Sequence, residues 1–125
     1  MLGREKIIAF AATRDGARAR AFYEKVLGLS VLSDDSFALV LDANGTMLRL
    51  QKVESFTPST FTALGWEVSN IRSAVTGLVD RGVTFQKYPW MAHDQDELGI
   101  WRAPSGARVA WFRDPDGNTL SLTEF

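Results

Sequence analysis

The chain has 125 residues, 46% of them hydrophobic, and balances 14 lysines and arginines against 15 aspartates and glutamates for a formal net charge of −1. That length suits one domain whose folding removes roughly two-thirds of the unfolded chain's accessible surface, and the even spread of charge offers no electrostatic footprint for nucleic acid or an anionic membrane. With no cysteine, no apolar stretch near the ~20 residues of a membrane span and no signal-peptide core, the sequence excludes a disulfide framework, a thiolate site and a cysteine nucleophile, and it reads as cytoplasmic.

Ile7 to Ala12 is a short apolar run that predicts a buried strand, and Asp15 follows it as a helix N-cap. Ala19, Phe22, Tyr23, Val26 and Leu27 then recur on one helical face, with Gly28 where a C-terminal glycine is preferred. Three apolar segments come next, Leu29 to Leu32, Phe37 to Leu41 and Met47 to Leu50, separated by Ser33-Asp34-Asp35 and Asp42-Ala43-Asn44-Gly45. Both separators carry turn chemistry, so the spacing predicts a meander.

Glu54 to Thr60 reads as a linker, after which the same order of elements begins again. Phe61 to Val68 predicts a strand, Ser69 or Asn70 a cap, and Ile71, Ala74, Val75, Leu78 and Val79 a second amphipathic helix ended by Gly82. Val83 to Lys87 predicts a strand, and Tyr88 to Gly106 a polar loop with a short strand near Ile100-Trp101. The closing segment from Arg108 predicts a hairpin about Asp114-Pro115-Asp116-Gly117-Asn118, in which Pro115 presets φ and Gly117 can take a positive φ. The reading is an α+β chain, a single domain over residues 1–125, built from a β-α-β-β-β module at 5–53 and a second at 61–125.

Ala21-Phe22-Tyr23 followed by Val26-Leu27-Gly28-Leu29, then Gly65-Trp66-Glu67-Val68 before a helix, then the Asp114 to Asn118 turn, resemble in order and spacing the vicinal oxygen chelate superfamily. That superfamily includes glyoxalase, bleomycin-resistance proteins and extradiol dioxygenases. The resemblance implies two modules forming a cupped mixed sheet, assembly as a homodimer and, in the family's enzymes, a divalent metal held by His, Glu or Gln on the first and last strand of each module. Carried over one by one, those ligand positions fall on Ile8, Arg49, Ala63 and Ser121. Ile8 and Ala63 have no lone pair, Arg49 is a charged donor, and a single hydroxyl remains. The expectation is therefore the fold without a metal, and no other cofactor.

His93, the only histidine, sits in the acidic run His93-Asp94-Gln95-Asp96-Glu97. A lone His among carboxylates on a polar loop is ordinary solvated surface, and without another base neither Ser105 nor Ser121 makes a nucleophile. No phosphate loop or dinucleotide fingerprint occurs. The aromatic residues carry more information. Strand alternation turns Trp66 toward the helix and leaves either Trp111 or Phe112 facing the cup, while Trp90 and Trp101 lie in the segment that can cover its mouth. Apolar walls with a few aimed polar groups are what a small-molecule pocket requires. The candidate ligand-binding set is Arg49, Gln51, Glu67, Trp90, Trp101, Trp111 and Ser121, with catalytic residues unassigned. Arg49 on the inner face needs a partner, either Glu67 or the anionic group of a ligand. Three functions compete: a metal-free protein that binds an aromatic or anionic small molecule, a metal-independent isomerase or lyase using Glu67 and Arg49, and a dimeric interaction or structural subunit. The first is preferred because no general-base pair or nucleophile stands out.

Overall fold

The computed structural model describes all 125 residues, which form two compact units, Met1–Thr57 and Pro58–Phe125. In the first unit β1 (Ile8–Thr13), β2 (Ser30–Asp34), β3 (Ala38–Ala43) and β4 (Thr46–Lys52) make a four-stranded sheet in the order β1-β4-β3-β2. β1 runs parallel to β4 and the other pairs are antiparallel. Between β3 and β4 the two-residue loop is Asn44-Gly45, both at positive φ (51° and 92°), with Asp42 Oδ1 accepting from the Gly45 N–H. A loop of two left-handed residues matches the right-handed twist of its flanking strands, which is why Asn-Gly fits here.

Helix α1 (Gly16–Arg20) starts where its cap says it should, the Arg18 N–H donating to Asp15 Oδ1 at 3.1 Å. The predicted single α-helix differs in its second half. From Ala21 to Val26 the turns widen to π geometry, with the Leu27 N–H donating to Phe22 O, before Gly28 ends the helix at φ 80°. The wider turn lets neighbouring Phe22 and Tyr23 both turn inward, their rings edge to face at 5.3 Å and Tyr23 wholly buried. Leu39, Leu41, Leu48 and Leu50, alternate residues of β3 and β4, form the core on that side.

The second unit repeats the plan. β5 (Thr62–Glu67), β6 (Trp101–Arg102), β7 (Arg108–Arg113) and β8 (Thr119–Glu124) make a sheet in the order β5-β8-β7-β6, with β5 parallel to β8. Helix α2 (Ile71–Asp80) is capped by Asn70, whose φ and ψ of −143° and 94° nearly equal the −142° and 93° of Asp15. A carboxylate also serves that helix end, Glu124 Oε1 accepting from the Ile71 N–H at 2.9 Å. Ile71 and Val75 pack the helix onto Ala110, Phe112, Leu120 and Leu122, which face it from β7 and β8.

One predicted strand is absent as a regular element. Val83 to Lys87 contributes only a bridge between Phe85 and Phe112 and a hydrogen bond from the Gln86 N–H to Trp111 O. The reason lies in β7, whose outer edge is shared. Phe85 and Gln86 occupy its Trp111–Phe112 end, β6 occupies the Arg108–Val109 end, and the chain between them leaves the sheet as a loop.

Candidate functional site

The pleat of β7 decides between Trp111 and Phe112. Phe112 stands opposite Leu120, is fully buried and packs against Phe85 at 5.3 Å, so it belongs to the helix side. Trp111 stands opposite Ser121 and lines a depression of about 810 Å³ on the other face. Its indole N–H donates to Thr62 Oγ1 on β5 at 3.2 Å, which fixes the ring plane.

Three further rings extend from Trp111. Tyr88 meets it edge-on at 5.7 Å, Trp90 stacks on Tyr88 at 4.8 Å and an interplanar angle of 28°, and Trp101 lies behind Trp111 at 5.9 Å. Tyr88 and Trp90 come from the loop that interrupts the edge strand. Gln95 holds that loop in place: its Oε1 accepts from the Tyr88 N–H at 2.8 Å, and its Nε2 donates to Gln86 O and Gly99 O at 3.1 and 2.9 Å. Asp96 fixes the return, its Oδ1 accepting from the Leu98 and Ile100 N–H groups.

The remaining walls come from the start of the unit and from the closing turn. Phe61 adds an apolar side, and Ser59, Thr60, Thr62 and Thr119 bring hydroxyls. Pro58 lies under Gly117, which sits at φ 91° in the turn; Asp114 Oδ1 organises that turn by accepting from the Asp116 and Asn118 N–H groups, both at 2.9 Å. Arg113, the last residue of β7, is the one formally charged residue on the wall.

Of the sequence-derived set, Trp90 and Trp111 line this depression and Trp101 backs it. Ser121 lies directly opposite Trp111 on the same face, buried, with its Oγ 2.8 Å from where a Cβ on Gly65 would stand. Glu67 is exposed at the far end of β5 from Thr62, about 16 Å along the strand. Arg49 and Gln51 belong to β4 of the first unit, Arg49 between Phe10 and Val40 and Gln51 between Ala12 and Ala38; the Asp35 carboxyl, held below its usual pKa chiefly by the Ala38 and Phe37 N–H groups it accepts from, also feels the Arg49 charge. A depression on the first unit is lined in part by Ile8, Leu32 and Met47 and carries no aromatic ring. Sequence reasoning missed Arg113, Tyr88, Phe61, Gln95 and the hydroxyl residues as site residues. Arg113 lay one residue before the turn, and its parity with Trp111 was the available signal.

A metal of the kind bound by glyoxalase-like enzymes finds no donor set at the corresponding positions. Ile8 pairs with Met47, Arg49 is cationic, Ala63 falls at the irregularity between Thr62 and Leu64, and Ser121 offers one hydroxyl. Nowhere do three or more His, Cys, Asp or Glu side chains converge as a cation would require. These residues do not fit a resident divalent metal.

The sequence profile of the Glyoxalase/Bleomycin resistance protein/Dioxygenase superfamily matches residues 7–122. The chain belongs to that superfamily. Among solved structures it is similar to a superfamily member from Sphaerobacter thermophilus, with 26% identity, 95% of this chain and 97% of that one covered, and a TM-score of 0.70. It is also similar to a glyoxalase/bleomycin resistance protein/dioxygenase from Alicyclobacillus acidocaldarius, with 17% identity, coverage of 98% and 92%, and a TM-score of 0.74. A lactoylglutathione lyase from Agrobacterium tumefaciens gives 16% identity, coverage of 96% and 93%, and a TM-score of 0.72. At these identities the Alicyclobacillus and Agrobacterium structures speak for the fold alone. No curated protein matches the chain.

Proposed function

We propose that this superfamily member is a metal-free small-molecule-binding protein, and that its ligand is a planar molecule held against Trp111 in the second unit. The observation that carries this reading is the run of rings Trp90, Tyr88, Trp111 and Trp101 beside a depression of about 810 Å³. Its size falls within the roughly 300–1,000 Å³ of small-molecule pockets, and ring faces reward flat apolar ligands by about 0.5–1.5 kcal/mol beyond area burial. Ser121, directly opposite Trp111 in the register, has a hydroxyl that can orient such a ligand. Glu67 is not among the residues that line this depression, which favours binding over the isomerase or lyase reading.

The test is calorimetric titration with a panel of bicyclic aromatic compounds against the protein and its Trp111→Ala form. Saturable binding that weakens about tenfold or more on substitution is expected. Equal affinity in the two proteins, or no binding by any member of the panel, would remove the site from Trp111.

A further inference from the structure

The chemistry of the wall around Trp111 is one-sided. Its single formal charge is the guanidinium of Arg113, no carboxylate lines the depression, and the other polar groups are the hydroxyls of Ser59, Thr60, Thr62, Thr119 and Tyr88 and the indole N–H groups of Trp90 and Trp111. Thr62 already accepts a hydrogen bond from the Trp111 indole, so its own O–H is left to donate. Arg113 stands directly opposite Thr119 in the β7–β8 register and makes no ion pair. Three other cations of the chain do form ion pairs: Arg20 and Lys52 meet Asp34, and Arg72 meets Glu97.

Arg113 and Trp111 are two residues apart on one strand, so they present to the same face about 7 Å from each other along β7. That spacing suits one molecule bearing a flat ring and an acidic substituent. A guanidinium beside hydroxyl donors recognises the fork of a carboxylate, sulfonate or phosphate better than a neutral isostere, because its donors match a planar or tetrahedral oxyanion. A neutral ligand gains only the stacking. A cationic aromatic gains the stacking and meets the guanidinium's repulsion.

We propose that the ligand class is the aromatic acid, a planar ring carrying an anionic group, and that Arg113 is the specificity-determining residue that meets the anion while Trp111 takes the ring. This rests on the aromatic site proposed above and adds the charge of its occupant. It gives the anion contact not to Arg49, for which the sequence offered either Glu67 or a ligand's anion as partner, but to a residue that shares a wall with the aromatic rings.

The experiment uses a matched pair of probes, 2-naphthoate and 2-naphthamide, which share the ring system and differ in charge. Both are titrated calorimetrically into the full chain, Arg113→Gln and Trp111→Ala. Arg113 is exposed and unpaired, so its replacement leaves the fold intact, which circular dichroism checks. The expected result is naphthoate binding about tenfold tighter than naphthamide, the preference vanishing in Arg113→Gln with naphthamide affinity unchanged, and both probes weakening in Trp111→Ala. If the two probes bind the unaltered chain equally, or Arg113→Gln keeps the preference, the anion assignment is overturned while the aromatic site stands. If Trp111→Ala alters neither affinity, or neither probe binds, the site itself fails and the anion assignment falls with it.

Discussion

Gln95 shows how much one uncharged side chain can determine here. Three hydrogen bonds from its amide tie together Tyr88, Gln86 and Gly99, three points on a loop that otherwise crosses open surface. Replacement by alanine strands the Tyr88 N–H and frees the ring pair that it positions, at a cost of about 1–3 kcal/mol. Gln95→Ala should therefore speed amide hydrogen exchange between residues 86 and 100, leave β5, β7 and β8 protected, and weaken binding of a stacked ligand that Gln95 does not itself line. Uniform loss of protection across the second unit would show instead that the loop is part of its folding core. Asp34 gives a residue-scale prediction for pH. Its carboxylate accepts from Lys52 at 2.6 Å and from Arg20 at 3.2 Å, and these bonds, Lys52 first, hold its pKa below the usual 3.8. A carboxyl whose pKa is depressed by folding binds fewer protons folded than unfolded. Its stabilisation is therefore complete above the unfolded pKa and drains away as the pH falls from about 5 through the depressed folded value. Thermal melts of Asp34→Asn and the parent should differ at pH 7 and converge once the pH has fallen below that depressed folded value; a gap of constant size would mean that the ion pair adds nothing.

At the scale of elements, the turn between β7 and β8 joins folding to the site. Gly117 holds φ at 91°, and a Cβ added there would stand 3.4 Å from Pro58 Cγ. Gly117→Ala should cost about 1–2 kcal/mol from backbone conformation alone, read as a lower melting temperature, and should disturb the wall that Pro58 and Gly117 form together. An unchanged melting temperature would mean that the turn relaxes to another geometry. Turn and cap chemistry was also where the sequence was most legible. Asn44-Gly45, Asp15, Asn70 and the Asp114 to Asn118 turn each do locally what their residue types favour, because the forces that fix them act over a few bonds. Val83 to Lys87 failed as a strand for the opposite reason. Its apolar pattern is right, but strand pairing is decided by what else lies along β7, and β6 already claims half of that edge. The candidate site was half legible on the same ground. Trp90, Trp101 and Trp111 could be named as large rings in suitable segments, whereas the choice between Trp111 and Phe112 needed the register, and Arg113 needed the same parity to be seen beside them.

For the molecule as a whole, the first unit leaves much apolar surface in the open: Phe37 is 79% exposed, Ile7 77%, Leu32 56%, Phe10 52% and Ile8 45%. Ile8 and Phe10 share one face of β1, beside Met47 and Arg49 of β4. Apolar side chains gathered on one face of a sheet are a liability for an isolated chain and a resource for a pair of chains. The chain is accordingly expected to be a homodimer, and sedimentation equilibrium should return twice the 13.9 kDa chain mass; a single chain mass at every micromolar concentration would remove that expectation. Elemental analysis of the untagged protein belongs to the same scale. Less than a tenth of an equivalent of zinc, nickel, iron or manganese is expected from so poor a donor set, on the order of contamination.

The divided edge of β7 also has a meaning for change over time. The loop that carries Tyr88 and Trp90 departs beside Trp111 and returns beside Val109, two residues away on the same neighbouring strand. Its two ends are moored by the sheet at a separation of about 7 Å, whatever the length of chain between them. Closing a longer excursion across so short a span costs only about 0.6 kcal/mol for each doubling of length, and β7 keeps its pairing throughout. Residues 87–100 thus form a replaceable cassette, a stretch in which insertions and substitutions can redraw the ligand wall while the hairpin behind it keeps its register.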